Sequence, residues 1–163
     1  VEDLGGRTRH SAHPNGSRVL CPRPLHSPRR AGYLHRNATG KGPPAAQVVY
    51  TDAQGTQRVE NVFRLNAVTG QFDPAPLDLA TGQNHTLVLN LTGVRNRTSL
   101  ASVSVGVGSV TLSALYAGPV ASFPGLDQIN VAVPASLRGS GTQSLSVTVD
   151  GYPSPAGVSL LFN

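Results

Sequence analysis

The chain has 163 residues and a formal net charge of +5; 13% of its residues are charged, 18 are Gly and 13 are Pro. This composition argues against a helical bundle or a coiled coil, since both need many Glu, Lys and Arg residues. No apolar run reaches the roughly 20 residues that a membrane-spanning helix requires, so we expect no membrane span. One Cys excludes an internal disulfide framework and a zinc site with several cysteines.

The positive charge is concentrated at the N-terminal end of the chain. Residues 1–46 contain eight Lys or Arg against two acidic residues, whereas residues 47–163 contain five against six. The stretch 7–41 shows neither helical nor strand periodicity and has prolines throughout. It therefore buries too little apolar surface to offset the ~1–2 kcal/mol per residue of backbone ordering entropy. We predict a disordered basic arm over residues 1–44 and a folded domain over residues 45–163.

Three interpretations of this arm remain open. It is a solvated linker or tail, a polyanion-binding segment, or sequence that is not native coding sequence, since GC-rich DNA read in a wrong frame gives such an Arg/Pro/His/Ser/Gly mixture. The cations available for polyanions are Arg23, Arg29, Arg30, Arg36 and Lys41. Only Tyr33 interleaves with them, which disfavours nucleic acid as a partner because stacking needs several aromatic rings. No apolar segment follows the basic residues, so we do not expect this arm to be a signal peptide; in an exported protein the signal peptide would lie upstream.

The rest of the chain has the periodicity of strands. In chain order we predict strands over 45–51, 57–65, 72–79, 84–91, 99–107, 109–117, 128–133, 143–149 and 156–162. Alternation of apolar and small polar residues is cleanest at 102–105, 128–133 and 144–149, which indicates one buried and one solvated face. Asp150-Gly151 predicts a type I′ turn, and 134–139 allows one turn of 3₁₀ helix.

Short strands at this spacing predict an all-β fold, namely an Ig-like antiparallel β-sandwich of about seven to nine strands. The Cys and Trp of antibody-type domains are missing from the folded segment, so the core must be aliphatic. The predicted core residues are Val103, Val105, Leu112, Leu115, Ile129, Val131, Leu145, Val147 and Leu160.

Three short motifs resemble a known family. They are Tyr-Ala-Gly at 116–118, Gly-Leu-Asp-Gln-Ile-Asn at 125–130 and Val-Pro at 133–134. In these the chain resembles the Solibacter-type C-terminal domain of large secreted acidobacterial proteins. The resemblance covers about 45–163, is strongest after Gly93 and does not include the arm. It implies an extracellular or cell-envelope β-sandwich module, appended after repeats or other Ig-like units, with no established catalytic role.

The residues themselves define no reaction. His85 is the only His of the folded segment, and we interpret it as a solvated or edge-strand residue. Asp127, Gln128 and Asn130 stand beside a strand start, where polar side chains fix a loop against backbone donors. Cys21 with His10, His13 and His26 matches no closed zinc spacing. We therefore predict no enzyme activity, no catalytic, cofactor or metal residues, and no cofactor.

We expect a non-catalytic C-terminal module of a larger secreted or cell-surface bacterial protein that acts in presentation, capping or anchoring. Its partners would be upstream domains of the same or a neighbouring polypeptide, or another cell-surface or extracellular partner, with 45–51 or 156–162 as pairing edges. The first alternative is an adhesive or carbohydrate-binding module, for which Tyr152, beside its turn, is the candidate ligand contact. The second is polyanion binding through the arm.

Overall fold

The computed structural model describes residues 31–34 and 42–163, and these residues form an all-β fold. The strands are β1 (Gly32–Tyr33), β2 (Ala46–Thr51), β3 (Gln57–Asn61), β4 (Phe63–Leu65), β5 (Phe72–Pro74), β6 (Pro76–Leu77), β7 (Asn84–Thr92), β8 (Val103–Val107), β9 (Val110–Pro119), β10 (Asp127–Ala132), β11 (Gly141–Val149), β12 (Tyr152–Pro153) and β13 (Val158–Phe162). One 3₁₀ turn, Ala135–Leu137, follows β10 as predicted. Within the described residues, no helix has the length and apolar character needed to cross a membrane.

All nine predicted strand regions contain strands, but two of them are divided. The region 57–65 separates into β3 and β4 at Val62, and 72–79 separates into β5 and β6 at Ala75. Val62 is fully buried, and its backbone bonds to Ala46 and Ala75 rather than to a continuous ladder. The chain therefore turns inward at this point, which hydrophobic alternation alone did not indicate.

Eleven strands form one large curled sheet, and β4 and β5 form a separate pair. The order in the large sheet is β3-β2-β7-β10-β9-β8-β11-β13-β6, with β1 on β7 and β12 on β11. The expectation of wholly antiparallel pairing is wrong for β13 and β6, which run parallel. The two-residue β6 reaches the edge of the sheet after the β4–β5 hairpin and enters it in the same direction as β13.

Strand β9 belongs to both halves of this sheet. Its first residues, from Val110 to Ser113, pair with β8, whereas those from Ala114 to Pro119 pair with β10. At the change of partner Leu115 has no opposite residue, because Asn130 pairs with Tyr116 and Val131 with Ala114. Such an extra residue is a β-bulge, and it reverses the side to which later residues point.

One predicted core residue is wrong, because Leu115 is 60% exposed. It lies three residues after the buried Leu112, so strand alternation directs it outward, and the bulge then leaves Tyr116 outward as well and returns Ala117 to the inner face. The other eight predicted core residues are buried and belong to one cluster. That cluster joins Leu89 and Ile129 of one half-sheet to Val105, Val147 and Leu160 of the other, so the two halves share a single aliphatic core.

Part of the predicted arm is ordered. Gly32 and Tyr33 pair with Thr92 and Leu91, and Ala31 lies in the core with 1% of its surface exposed. The prediction of disorder is wrong for residues 31–34, because this short segment has apolar surface to bury although the arm as a whole is polar. It is also wrong for residues 42–44, where Gly42 N donates to Gly157 O at 3.1 Å and Pro43 and Pro44 are buried. The other residues up to 41, which include all eight Lys and Arg residues of the arm and Cys21, lie outside the described residues.

The two strands proposed as pairing edges are interior strands. Strand β2 lies between β3 and β7, and β13 lies between β11 and β6. The ends of the strand order are instead β3, with the exposed Val59, and the short β6. A further strand could therefore extend the large sheet beside β3.

Replacing Tyr33 tests the packing of β1. The Tyr33 ring packs against the core, and its hydroxyl accepts a hydrogen bond from Ser154 Oγ at 3.2 Å. We expect Tyr33→Ala to lower the free energy of unfolding by about 2 kcal/mol, measured by urea denaturation of the full chain. Leu34→Ala is the control, because Leu34 is exposed and should change stability little. Equal effects of the two substitutions would contradict the placement of β1.

Candidate functional site

Asp127, at the start of β10, holds the loop that follows β7. Its carboxylate is fully buried and accepts hydrogen bonds from the backbone of Val94 at 2.8 Å and of Arg95 at 3.2 Å. Arg95 Nε donates to the same carboxylate at 2.8 Å, and its Nη2 donates to Leu126 O at 3.1 Å. The predicted loop-fixing role is thus confirmed for Asp127, whereas Gln128 and Asn130 bond to each other on the opposite face of the strand.

Asp150, at the turn between β11 and β12, also holds a loop through its carboxylate. Asp150 and Gly151 both have positive φ, of 51° and 82°, which confirms the predicted type I′ geometry. The Asp150 carboxylate accepts hydrogen bonds from the backbone and hydroxyl of Thr98, at 3.1 and 2.5 Å. Hydrogen bonding by the Ser102 and Thr98 side chains lowers the pKa of Asp150.

Tyr152, the predicted ligand contact, follows this turn. It lies in β12 opposite Val149 and is 42% exposed. The turn beside it is also held through the backbone, because Asp150 N donates to Ser102 O at 3.0 Å. Its role in contacting a ligand stays a prediction.

Two more carboxylates are also bonded within loops. Asp52 accepts from the backbone of Gln54 and Thr56, at 3.0 and 2.8 Å. Asp73 accepts from Asn66 Nδ2 at 2.8 Å, across the β4–β5 hairpin. Four carboxylates of the described chain, those at positions 52, 73, 127 and 150, therefore stabilise loops and turns.

His85 lies inside the fold. It is on the inner face of β7, between β2 and β10, and is 4% exposed, so its interpretation as a solvated or edge-strand residue is wrong. The sequence pattern is consistent with burial in hindsight, because His85 is in phase with Leu87 and Leu89. Its ring packs edge-on against Tyr50, with centroids 5.4 Å apart, and burial lowers its pKa.

Tyr50, which contacts His85, also contacts Arg58 of the edge strand β3. The Arg58 guanidinium carbon lies 4.1 Å above the Tyr50 ring centroid, and Arg58 also pairs with Glu60. Burial, followed by the nearby Glu60 charge, raises the pKa of Tyr50 to about 12. At neutral pH the ring is therefore a neutral surface for the cation.

A cleft of about 510 Å³ opens where β9 leaves β10 for β8. It is lined by Gln83, Asn84, His85, Thr86, Leu112, Leu115, Ala132, Val133, Pro134 and Ala135. Among the described residues, Gln83 Oε1 and His85 Nε2 are buried polar atoms without a hydrogen-bond partner. His85 is the one titratable side chain in this lining, so the cleft offers apolar contact and hydrogen bonding.

The outward positions of the central strands form two uncharged faces. The first, the amide face, consists of Gln47, Asn90, Gln128, Asn130 and Tyr116 on β2, β7, β10 and β9. The second, the hydroxyl face, consists of Ser104, Thr111, Ser113, Ser144, Ser146 and Thr148 on β8, β9 and β11. Charged residues of the described strands point inward or lie at strand ends and edges, so both faces present neutral hydrogen-bonding groups.

Metal and polyanion sites concern different parts of the chain. In residues 31–34 and 42–163, no three His, Cys, Asp or Glu side chains come together in a way that could hold a metal ion. The Cys21, His10, His13 and His26 set and the cations proposed for polyanions fall outside those residues. Polyanion binding through the arm therefore stays a hypothesis.

Removing the Asp127 carboxylate tests the loop anchor. Asp127→Ala leaves the buried Val94 N–H and the Nε of Arg95 without their acceptor, so we expect a loss of about 3 kcal/mol in the free energy of unfolding. Gln128→Ala, on the opposite face of the same strand, should cost less than about 1 kcal/mol. Urea denaturation of both variants measures the difference, and similar costs would contradict the anchoring role.

The pH dependence of stability tests the burial of His85. Its folded-state pKa is lower than its ordinary 6.5, so below pH 6.5 the unfolded chain takes up a proton before the folded chain does. Stability should then fall as the pH decreases from 7 to 5, by at most about 1.4 kcal/mol per pH unit. His85→Phe keeps the ring contact with Tyr50 and should give a flatter profile over this range. Parallel profiles for the two proteins would show that His85 is not buried.

The chain matches no protein-family model, no curated protein and no solved structure. The structural features that bear on its function are the loops held by carboxylates, the cleft beside His85 and the two outward faces.

Proposed function

We propose that this chain is an Ig-like β-sandwich module of a larger secreted or cell-surface protein, which it presents, caps or anchors without a catalytic role. Its location would be extracellular or in the cell envelope. Its partners would be upstream domains of the same or a neighbouring polypeptide. This proposal joins the sequence resemblance to the Solibacter-type domain with the all-β fold.

The observation that carries the proposal is that the carboxylates of Asp127 and Asp150 accept hydrogen bonds from loop residues. General acid–base chemistry needs carboxylates that reach a substrate. Here Asp127 is fully buried against Val94 and Arg95, and Asp150 is bonded to Thr98 at a turn. These groups hold the loops through hydrogen bonds, which suits a scaffold that keeps a fixed shape outside the cell.

The edge of the large sheet supports an interaction with neighbouring domains. Strand β3 ends the strand order and presents Val59, which is 53% exposed, beside polar neighbours. A strand from an upstream domain could pair with β3 through its main chain, which is a common mode of domain association. The outward faces of the sheet would remain exposed to a ligand after such strand pairing.

A secreted reporter tests the proposed role. A signal peptide and a reporter enzyme are placed upstream of the full 163-residue chain in a bacterial host. We expect the fused reporter to be held at the cell surface, or protected from external protease, more than the reporter alone. An Asp127→Ala fusion is the comparison, because it removes the loop anchor and so destabilises the fold.

Two results would contradict the proposal. The first is a fused reporter that is released and degraded at the same rate as the reporter alone. The second is a fusion that performs equally well with an Asp127→Ala chain that no longer folds.

A further inference from the structure

We propose that the amide face is a binding platform for neutral, hydroxyl-rich polysaccharide. The sequence offered Tyr152 as a contact for sugars, whereas the arrangement of side chains points to Tyr116 and the amides beside it. The inference deepens the proposed function by naming a ligand, and it rests on that function only for the extracellular location.

Tyr116 is held flat against the sheet. Its hydroxyl donates to Pro119 O at 2.7 Å, so the ring runs along its own strand toward Pro119. Gly118 lies beneath the ring: a Cβ at that position would be 3.1 Å from Tyr116 Oη and 3.3 Å from Cζ. Gly118 is buried, while Tyr116 is 40% exposed. One face of the ring thus packs on the backbone and the other faces solvent, where the C–H groups of a sugar ring could stack.

The side-chain amides of Gln128 and Asn130, next to this ring, are held by a hydrogen bond before any ligand binds. Asn130 is directly opposite Tyr116, and Gln128 is directly opposite Gly118. Gln128 Nε2 donates to Asn130 Oδ1 at 2.7 Å. Within the described residues, this bond leaves Gln128 Oε1 as an acceptor and Asn130 Nδ2 as a donor for a ligand. An adjacent acceptor and donor match a pair of neighbouring sugar hydroxyls, one donating and one accepting.

The platform extends across four neighbouring strands. Gln47, Val88, Asn130 and Tyr116 form one row, and Asn90 and Gln128 precede Gly118 in the next. Neighbouring strands lie about 4.8 Å apart, so the first row is roughly 14 Å long. That length suits a short run of sugar rings lying on a flat surface, with Val88 giving apolar contact between the amides.

The face carries little charge, which favours a neutral ligand. The outward residues of these rows are amides, Val88, Tyr116 and Gly118, and one cation, Arg97, reaches the face beside them, since its Nη1 would be 3.6 Å from a Cβ at position 118. A polyanion needs several cations along its length. A neutral polysaccharide needs hydrogen-bonding groups and an aromatic platform, and both are present on this face.

Affinity electrophoresis of the full chain tests the inference. The probes are soluble neutral polysaccharides (hydroxyethyl cellulose, xyloglucan and soluble starch), with polygalacturonate and heparin as anionic probes. We expect at least one neutral probe to retard the chain. Tyr116→Ala should weaken that binding roughly tenfold, and Gln128→Ala should weaken it several-fold. Gly118→Ala should also weaken it, because the added methyl group displaces the ring while the tyrosine is kept.

Tyr152→Ala is the matched control, because Tyr152 is exposed to nearly the same extent, 42% against 40%, but lies outside the amide face. Thermal unfolding checks that each variant is folded. The inference is overturned if no neutral probe binds, if only the anionic probes bind, or if Tyr152→Ala weakens binding as much as Tyr116→Ala does. If it is overturned while the fused reporter is still retained or protected, the proposed module role stands without a polysaccharide ligand.

Discussion

The sharing of β9 between two halves of one sheet is the constraint on which the rest of the structure depends. A strand that exchanges β10 for β8 along its length must change direction, and the bulge at Leu115 provides that change. Because both half-sheets remain attached to the same strand, their apolar faces turn toward each other. The aliphatic cluster then forms without Trp or a disulfide, from side chains such as Ile129 and Val147.

The same arrangement determines where polar groups can lie. The inner faces are filled by the core, so His85 enters it as a neutral ring against Tyr50, and Asp127 enters only with Arg95 and two backbone donors. The outward faces receive amides and hydroxyls. Over residues 31–34 and 42–163, the outward positions of the central strands are therefore uncharged, and the exposed charges lie at loops and edges, which favours contacts with neutral partners.

Much of the fold could be predicted from the sequence, because alternation of apolar and polar residues reports directly on a half-buried strand. The strand regions, the turn at Asp150 and the loop role of Asp127 follow from such local patterns. The burial of His85 also follows this alternation, because His85 is in phase with Leu87 and Leu89. The bulge after Ala114 could not be predicted in this way, since it depends on partner strands distant in sequence. The platform under Tyr116 depends on Gly118 and on Asn130 across the strand pair, whereas the sequence alone favours Tyr152 because it follows a predicted turn.

Native-state hydrogen exchange tests most directly whether the two half-sheets form one unit. The amides to compare are those of Leu89 in β7 and Val147 in β11, which lie in different halves and contribute to the same core. One shared core predicts that both exchange only through global unfolding, with equal free energies and equal dependence on denaturant. Exchange of one half at a clearly lower free energy than the other would contradict it, and would show two units joined only by β9.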